Sequence, residues 1–479
     1  MRSVLIILLA LFVVNTPAQS RRVVPNQTAA QPAVPGSASS TAAAAVPVKQ
    51  MFEEAANYYR VKFTEFEQKK VPYSERLRLQ VEREQKQLAA KYAAIVAKRP
   101  ALTLEETYYL GLLHWTAENL DGTSEAFQKY LASDEKAPDK AQRTRSVVAV
   151  IFAKQKRLDE AEKLLAEYLK NEPVKLSERL RMESEIAKSY LAGNNYEKAT
   201  PHAEEGYKAA KAFVLDPSSG PRGLDEFLDN GMLVFDAYRS AGKIEQADAA
   251  LEDMRKTAAA GGSPSLFFYV ADKLIVYRIE TGRKPFAMQT YASIVEKAPT
   301  DLRIKSQADD VIKKLKTREK QYKLLGEPAP ELAGVDKWFP GTAKTLADLR
   351  GQVVLLDFWA TWCAPCFDGF PHLIEWDQDF ARDGLVVLGV TRYYGIAGGL
   401  PVDHAAEVES LKRFKAKERL PYDFVVLKDT DSQILFGANA LPTAVIIDRK
   451  GVIRYVDSGA SPTRFFEMRQ VIQKLLAEK

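Results

Sequence analysis

The sequence predicts two folded parts, an N-terminal all-α helical array followed by a C-terminal α/β domain. From Met51 to Lys323, apolar residues recur at the spacing of amphipathic helices. After that stretch the pattern changes to short, continuous apolar runs, which are typical of strands buried on both faces of a sheet. A chain of 479 residues is long enough for both parts, since a domain takes roughly 100–200 residues.

Composition places the chain among globular proteins and argues against nucleic acid as a partner. Hydrophobic residues make up 46% and charged residues 27% of the sequence, which is enough apolar material for sizeable cores. The formal net charge is only +5, and basic side chains alternate with acidic ones along the predicted helices. Because a nucleic-acid interface needs a concentrated basic stripe, we expect no nucleic-acid binding.

The first 48 residues have the features of an export signal followed by a tether. One arginine precedes an uninterrupted apolar run from Val4 to Val14, and small residues follow, as in a secretory signal peptide of residues 1–20. An uncleaved membrane anchor is the alternative, although the run is short for a helix that spans a bilayer. Residues 21–48 are rich in Ala, Pro, Ser and Thr without periodicity, which predicts a disordered linker. We therefore expect an exported protein, periplasmic or tethered to a membrane.

The helical part contains a degenerate repeat. Five short helical stretches align on an alanine, with spacings of 35, 38, 48 and 40 residues. A small residue lets two helices approach closely, and in three copies an aromatic residue nine positions earlier can fill the gap beside it. In three copies a proline twelve positions later is expected to stop the second helix, and the two long spacings contain turn-rich loops at 216–223 and 261–264. The aligned alanines are Ala126, Ala161, Ala199, Ala247 and Ala287.

This pattern resembles tetratricopeptide (TPR) repeats, whose period is near 34 residues. The resemblance covers roughly residues 105–300 of a predicted helical domain at residues 49–323, and most copies lack the tryptophan that the family carries early in the repeat. It implies a surface that binds a peptide or protein partner. A generic helical bundle is the alternative for this part.

The C-terminal domain is expected at residues 331–479, after a linker at residues 324–330. Helical patterns follow and separate its apolar runs, so the strands should form a sheet with helices on both faces. We expect residues 328–479 to fold alone, because their core should be complete and the preceding stretch has the composition of a linker. The predicted strands and the predicted hairpin lie at 351–360, 385–393 and 443–459.

The chain contains only two cysteines, three residues apart in the stretch LLDFWATWCAPCFDGFP. A cysteine at the start of a helix lies near unpaired backbone N–H groups and the positive end of the helix dipole, which favours its thiolate. Cys363 is therefore the predicted nucleophile, and Cys366, one turn further on, can attack the mixed disulfide that Cys363 forms. Pro365 should stiffen this turn, and Pro371 should kink the helix.

Four other uses of a cysteine pair fit the sequence less well. An inert structural disulfide would constrain only a short loop. A zinc site needs four ligands, and the chain has four scattered histidines and no second cysteine pair, so we expect no metal. Covalent haem attachment would need a histidine where Phe367 stands, and a thiol peroxidase would carry threonine in place of Ala360.

Together with a second motif, ALPTAVIIDRKG, the cysteine segment resembles the TlpA/ResA-like branch of the thioredoxin superfamily. The match covers about 150 residues, from residue 328 to residue 479. It implies a thioredoxin fold, thiol-disulfide oxidoreductase activity without a cofactor, protein thiols or disulfides as substrates, and an upstream redox partner that recycles the pair. The residues that fall at the family spacing are Trp359, Trp362, Cys363, Pro365, Cys366, Pro371 and Pro442.

The resemblance also implies binding and supporting roles. It implies a cis peptide between Leu441 and Pro442, which faces the cysteines and offers the backbone of Leu441 to an extended substrate. The expected substrate-binding residues are Trp362, Leu441 and Pro442. The expected supporting residues are Trp359, Pro365 and Pro371.

One position departs from the family. Relatives that resemble ResA carry a glutamate three residues after the second cysteine, where it serves proton transfer, and this chain has Gly369 there. Asp357, on the first buried strand, is the candidate replacement, because burial raises the pKa of a carboxyl and would let it accept the proton of Cys366. The alternative for Asp357 is a polar core residue whose carboxyl is satisfied by a neighbour.

These patterns together predict an exported thiol-disulfide oxidoreductase, with protein-disulfide reduction as the favoured direction, whose helical array binds a partner. The absence of other cysteines suits this role, because a further thiol could be captured by the active site. The alternative is a scaffold in which the array does the main work and the thioredoxin-like domain only binds. Intact Cys363, Cys366 and Pro442 favour the redox role over the scaffold.

Overall fold

A computed structural model describes residues 46–215 and 220–478 of the chain. The predicted signal peptide lies outside the described residues, as does nearly all of the predicted linker at residues 21–48. The described residues from Val48 onward form one compact unit. None of the helices in the described ranges is long and apolar enough to cross a membrane.

Helices occupy the described residues before the first strand, as the sequence predicts. Their starts follow local capping chemistry. The hydroxyl of Thr103 accepts a hydrogen bond from the backbone of Glu106, whose carboxylate accepts the N–H of Thr103 in return. The helices are α1 (Val48–Gln68), α2 (Glu75–Ala97), α3 (Leu104–Thr116), α4 (Leu120–Leu131), α5 (Pro138–Lys154), α6 (Leu158–Leu169), α7 (Leu176–Ala192), α8 (Tyr196–Val214), α9 (Gly220–Ser240), α10 (Ile244–Ala260), α11 (Pro264–Glu280), α12 (Lys284–Asp301) and α13 (Lys305–Leu324).

The five aligned alanines occupy equivalent places in successive helix pairs, from α3–α4 to α11–α12. Each lies in the second helix of its pair and is buried, and the two helices of each pair are in contact. A side chain no larger than a methyl group permits this close approach. The repeat therefore corresponds to a series of helix pairs, while its relation to the TPR family stays a prediction.

Two local predictions for the array are wrong in part. Pro299 does not stop the second helix, because it lies inside α12, which continues to Asp301. A proline inside a helix removes one backbone hydrogen bond and crowds the carbonyl four residues earlier, and α12 continues for only two residues beyond Pro299. The turn-rich stretch predicted as a loop at 216–223 also differs: α9 begins at Gly220, and 216–219 lie outside the described residues.

The C-terminal part contains a mixed six-stranded sheet in the order β1-β6-β3-β2-β7-β8. The central strands β2, β3 and β6 are parallel to one another, and β7 and β8 form an antiparallel hairpin beside β2. A separate pair, β4–β5, forms a small hairpin. The strands are β1 (Val335–Phe339), β2 (Val353–Phe358), β3 (Leu385–Arg392), β4 (Ile396–Ala397), β5 (Leu400–Pro401), β6 (Asp423–Leu427), β7 (Thr443–Ile447) and β8 (Ile453–Ser458), and the helices are α14 (Ala364–Phe367), α15 (Phe370–Phe380), α16 (His404–Lys417), α17 (Asp431–Leu435) and α18 (Pro462–Ala477).

One face of the sheet carries the cysteines. Val353 and Leu355 of β2 point to this face, where they join an apolar cluster that contains both cysteines and side chains of α15, α16 and α18. All residues of β2 are buried, as expected for a strand covered on both sides. This face agrees with the helix-covered sheet that the sequence predicts.

The opposite face is covered in part by the helical array. Val354, Leu356 and Phe358 of β2 belong to one apolar cluster with Val311 and Leu315 of α13. The expectation that residues 328–479 contain a complete core is therefore wrong. Their own short helix α17 is too small to cover this face, and the long helix α13 contributes to the layer through its contacts with β8.

The stretch predicted as a linker is bound to the sheet. The N–H groups of Gly326 and Ala329 donate to the carbonyls of Ile453 and Gly451, and the N–H of Ile453 donates to the carbonyl of Glu327. These bonds extend the β7–β8 hairpin by a short bridge between Pro328 and Val452. The domain boundary at residues 324–330 stays a prediction.

Candidate active site

Cys363 lies at the turn between β2 and α14, Cys366 lies inside α14, and the two form a disulfide. Cys363 is the N-cap residue of α14, and the N–H of Cys366 donates to the carbonyl of Cys363 at 3.0 Å. The side chains are 4% and 1% exposed, so the expected difference in burial between them is small. The pair is in its oxidised form and ready to accept two electrons.

The helix that carries the pair is interrupted after one turn. α14 ends at Phe367, and α15 begins at Phe370. In a continuous helix the ring of Pro371 would clash with the carbonyl of Phe367, four residues earlier. Pro371 instead lies in the first turn of α15, and Pro365 in the first turn of α14, where a missing N–H leaves no helical bond unmade.

Trp359 anchors the turn from the inside of the domain. Its ring is fully buried against Phe370, Phe414 and Phe424, with centroid distances of 5.6, 5.2 and 4.9 Å. Gly389 on β3 makes room for it, since a Cβ at that position would lie 3.0 Å from the indole nitrogen. The supporting role that the resemblance implies for Trp359 stays a prediction.

Trp362 lies on the outside, directly before Cys363, and is 59% exposed. Its ring meets Tyr394 edge to face at 5.3 Å, and the guanidinium of Arg392 lies 4.0 Å from the Tyr394 ring centre. Tyr394 stands at the base of the β4–β5 hairpin, whose start is held by the carboxylate of Glu407 through the N–H groups of Tyr394 and Gly395. An exposed aromatic surface thus borders the disulfide.

The Leu441–Pro442 peptide is cis, as the resemblance implies. The carbonyl of Pro442 accepts the N–H of Gly459 at 2.8 Å, and Leu441 packs against the cluster that contains the cysteines. Among the described hydrogen bonds, none uses the backbone N–H or C=O of Leu441. These two groups are therefore available to another chain.

Asp357 lies on β2 and points to the face of the sheet that carries the cysteines, opposite Ala444 of β7. Burial raises the pKa of its carboxyl to about 7, and the nearby guanidinium of Arg464 opposes this rise. Among the described residues, none donates a hydrogen bond to the carboxyl. A buried acid with a pKa near neutrality can both accept and release a proton.

No acid replaces the family glutamate on the cysteine helix. Gly369 is buried between the two helix segments, where a Cβ would lie 3.3 Å from the carbonyl oxygen of Cys366. Asp368 is exposed and lies outside both helices. Asp357 is a buried carboxyl on the same face of the sheet as the cysteines, while its role stays a prediction.

Comparison with known proteins identifies the C-terminal part. Residues 325–456 match the model of the AhpC/TSA family. Over 143 residues the chain is 30% identical to the thiol-disulfide oxidoreductase ResA of Geobacillus thermodenitrificans, which covers 29% of this chain and 73% of that protein. The chain belongs to the ResA-like family of thiol-disulfide oxidoreductases.

Further relatives have names of the same kind. The thioredoxin-like protein YneN of Bacillus subtilis is 28% identical over 146 residues, which are 30% of this chain and 77% of that protein. A solved thiol-disulfide isomerase from Corynebacterium glutamicum is 23% identical, with 32% of this chain and 98% of that chain covered and a TM-score of 0.27. The matches to ResA and to the AhpC/TSA family make the ResA-like part of the chain a thioredoxin-like domain, and the chain is a protein disulfide oxidoreductase.

Sequence reasoning missed two side chains of this site in the ResA-like domain. Tyr394 follows a buried strand, and only its contact with Trp362 marks it. Arg464 looks like an ordinary charge in the first turn of an amphipathic helix, yet it is 5% exposed and donates to the carbonyls of Asp457 and Gly459. The only feature of the sequence that could have indicated burial of Arg464 is its position directly before Phe465.

Proposed function

We propose that the chain is an exported protein-disulfide reductant that uses Cys363 as its nucleophile. The observation that carries the proposal is the Cys363–Cys366 disulfide at a helix start beside the exposed ring of Trp362. Export rests on the sequence of residues 1–20, which lie outside the described residues. The two-electron couple of the pair requires no cofactor.

The reduced protein exchanges its dithiol for a disulfide of the substrate. The Cys363 thiolate attacks one sulfur of the substrate disulfide, forms a mixed disulfide and releases the other sulfur as a thiolate. Cys366 then attacks the Cys363 sulfur, which closes the Cys363–Cys366 bond and releases the second substrate sulfur. Asp357 accepts the proton of Cys366 in this step, a role supported by its burial and its pKa of about 7. The substrate gains two electrons, and a dithiol of an upstream partner restores the pair.

Substrate binding is assigned to the aromatic and backbone groups around the pair. The exposed ring of Trp362, backed by Tyr394, offers apolar contact beside the reacting sulfur. The unused N–H and C=O groups of Leu441, next to Pro442, can pair with an extended segment of the substrate. Such a site favours an extended polypeptide over a small disulfide.

The helical array is proposed to bind the protein partner. Support comes from the stacked helix pairs and from an aromatic group at the end of the α1–α2 hairpin. There Phe63 contacts Phe66 and Tyr73 at ring distances of 5.6 and 6.2 Å, and Tyr73 is 65% exposed. Partly exposed aromatic side chains of this kind are enriched in protein interfaces.

The variant Cys366→Ser tests this function. We expect it to accumulate mixed disulfides through Cys363, because the thiol that would release the substrate is gone. Non-reducing gels followed by mass spectrometry of the linked peptides would identify the bond. Cys363→Ser is the matched control and should accumulate none. A Cys366→Ser protein that traps no thiol protein would support the scaffold, and rapid consumption of hydrogen peroxide by the unmodified chain would support a peroxidase.

A further inference from the structure

The last helix of the array is fixed to the sheet of the ResA-like domain by an arginine. Arg318 of α13 pairs with Asp272 of α11 at 2.9 Å and also with Asp457 of β8. Tyr322, one turn further along α13, donates to the same Asp272 carboxylate. Because the rigid guanidinium binds both carboxylates at once, it sets the position of α13 between the array and the sheet.

A chain of hydrogen bonds leads from α13 to the segment before Pro442. The side-chain amide of Gln321 donates to Ser458 at 3.2 Å, the hydroxyls of Ser458 and Thr443 are 2.6 Å apart, and Thr443 donates to the carbonyl of Ala440 at 2.6 Å. A hydroxyl has only one proton to donate. Since Thr443 donates to Ala440, Ser458 must donate to Thr443 and accept from Gln321. The chain of donors therefore runs in one direction, from the amide of Gln321 to the carbonyl of Ala440.

A second contact holds the same segment from the same helix. Gly437 lies between α17 and Pro442 at a φ of +66°. A Cβ built there would lie 3.2 Å from Lys320 and 3.5 Å from Gln321, so the backbone of this segment rests directly on α13. Gln321 itself is 4% exposed. The segment before Pro442 thus meets α13 directly at Gly437, and Ala440 is linked to the same helix through Thr443 and Ser458.

We propose that α13 positions the substrate-binding Leu441–Pro442 segment, with Gln321 as the positioning residue, so that the array forms part of the active site. The inference goes beyond partner binding by the array, and it rests on the proposed function in that Leu441 and Pro442 bind the substrate. A shift of a positioning segment weakens binding without changing the chemistry of the cysteines. Gln321 therefore affects the binding of protein substrates and not the reactivity of the Cys363–Cys366 disulfide.

The variant Gln321→Glu tests the inference by reversing the hydrogen-bond chain. Arg318 already donates to the side-chain oxygen of Gln321, so it keeps the new carboxylate ionised. A carboxylate only accepts, so Ser458 turns to donate to it, Thr443 donates to Ser458, and the carbonyl of Ala440 loses its donor. With insulin as substrate and dithiothreitol as electron donor, we expect KM to rise about three- to ten-fold. The kcat and the rate at which dithiothreitol alone reduces the pair should stay within about two-fold.

Four further variants separate positioning from general damage. Gln307→Glu makes the same change on α13, about 21 Å along the helix, and should leave KM unchanged. Thr443→Val removes the donor to Ala440 and should raise KM like Gln321→Glu, whereas Thr443→Ser should restore it. Because both changes break one chain, the double variant Gln321→Glu/Thr443→Val should be no worse than Thr443→Val alone.

The outcomes distinguish this inference from the proposed function. An unchanged KM in Gln321→Glu with an active unmodified chain overturns the inference and leaves the reductase function standing. Equal losses in kcat and in dithiothreitol reduction, with KM unchanged, also overturn it, because they indicate disturbed cysteines. An unmodified chain that does not reduce insulin overturns both.

Discussion

A chain that begins at residue 328 is expected to be far less stable than the full-length protein. Its sheet would lose the contact of α13 with β8, and Val354, Leu356 and Phe358 would lose the array side chains of the apolar cluster that they share with that helix. Exposure of a buried side chain of this size costs about 1.5–3 kcal/mol. Several such side chains together approach the whole free energy of unfolding of a typical domain, about 5–15 kcal/mol.

Urea unfolding followed by tryptophan fluorescence would measure this loss. We expect the chain of residues 328–479 to aggregate or to unfold at a much lower urea concentration, because a large apolar surface is exposed. A chain that begins at Pro264 keeps α11, α12 and α13 with the Asp272–Arg318 pair, and it should recover most of the stability. A cooperative transition of residues 328–479 at the midpoint of the full chain would contradict a shared core.

Asp357→Asn is expected to slow the enzyme and to stabilise it. Without a positioned base for the Cys366 proton, turnover near neutrality should fall by about ten-fold or more. In the unmodified protein, the rate of mixed-disulfide resolution should rise with pH through about 7, the pKa of Asp357, as the carboxyl becomes able to accept a proton. This dependence should be lost in the variant. Unchanged kinetics between about pH 6 and 9 would remove Asp357 from the mechanism.

The stability effect of Asp357→Asn has a defined pH window. The pKa of Asp357 is about 7 in the folded chain, and an unfolded aspartate titrates near 3.9. Between these values the folded state binds the proton more tightly, so the unmodified protein loses stability as the pH rises. The gain from asparagine should therefore be small below about pH 4 and reach the order of 4 kcal/mol above about pH 7. A gain that is constant from about pH 4 to 8 would contradict a raised pKa.

Local patterns in the sequence predicted the elements that carry the chemistry. The apolar run of β2 led to a buried strand, the cysteine spacing to a helix start at Cys363, and the aligned alanines to helix pairs. Each of these depends on residues close together in the chain, whose periodicity reports burial directly. The cis peptide before Pro442 followed from the resemblance to a known family.

Contacts between distant segments could not be predicted in this way. The apolar residues of α13 indicate a helix. They do not indicate that this helix packs against a sheet whose last strand, β8, lies more than 100 residues further along the chain. The same holds for Arg464 beside Asp357 and for Gln321 beside Ser458, which look like ordinary polar residues. Their roles depend on burial, which the sequence around them does not encode.

The reduction potential of the Cys363–Cys366 couple tests the central claim, that the chain is a protein-disulfide reductant, most directly. The full-length protein would be equilibrated in dithiothreitol or glutathione buffers, and its thiol state read by alkylation and mass spectrometry. A potential near that of thioredoxin, about −270 mV, is the predicted result, because the reduced pair then passes electrons to protein disulfides of higher potential. A potential near −120 mV would mean that the pair accepts electrons from protein thiols. That result would contradict the proposed role as a reductant.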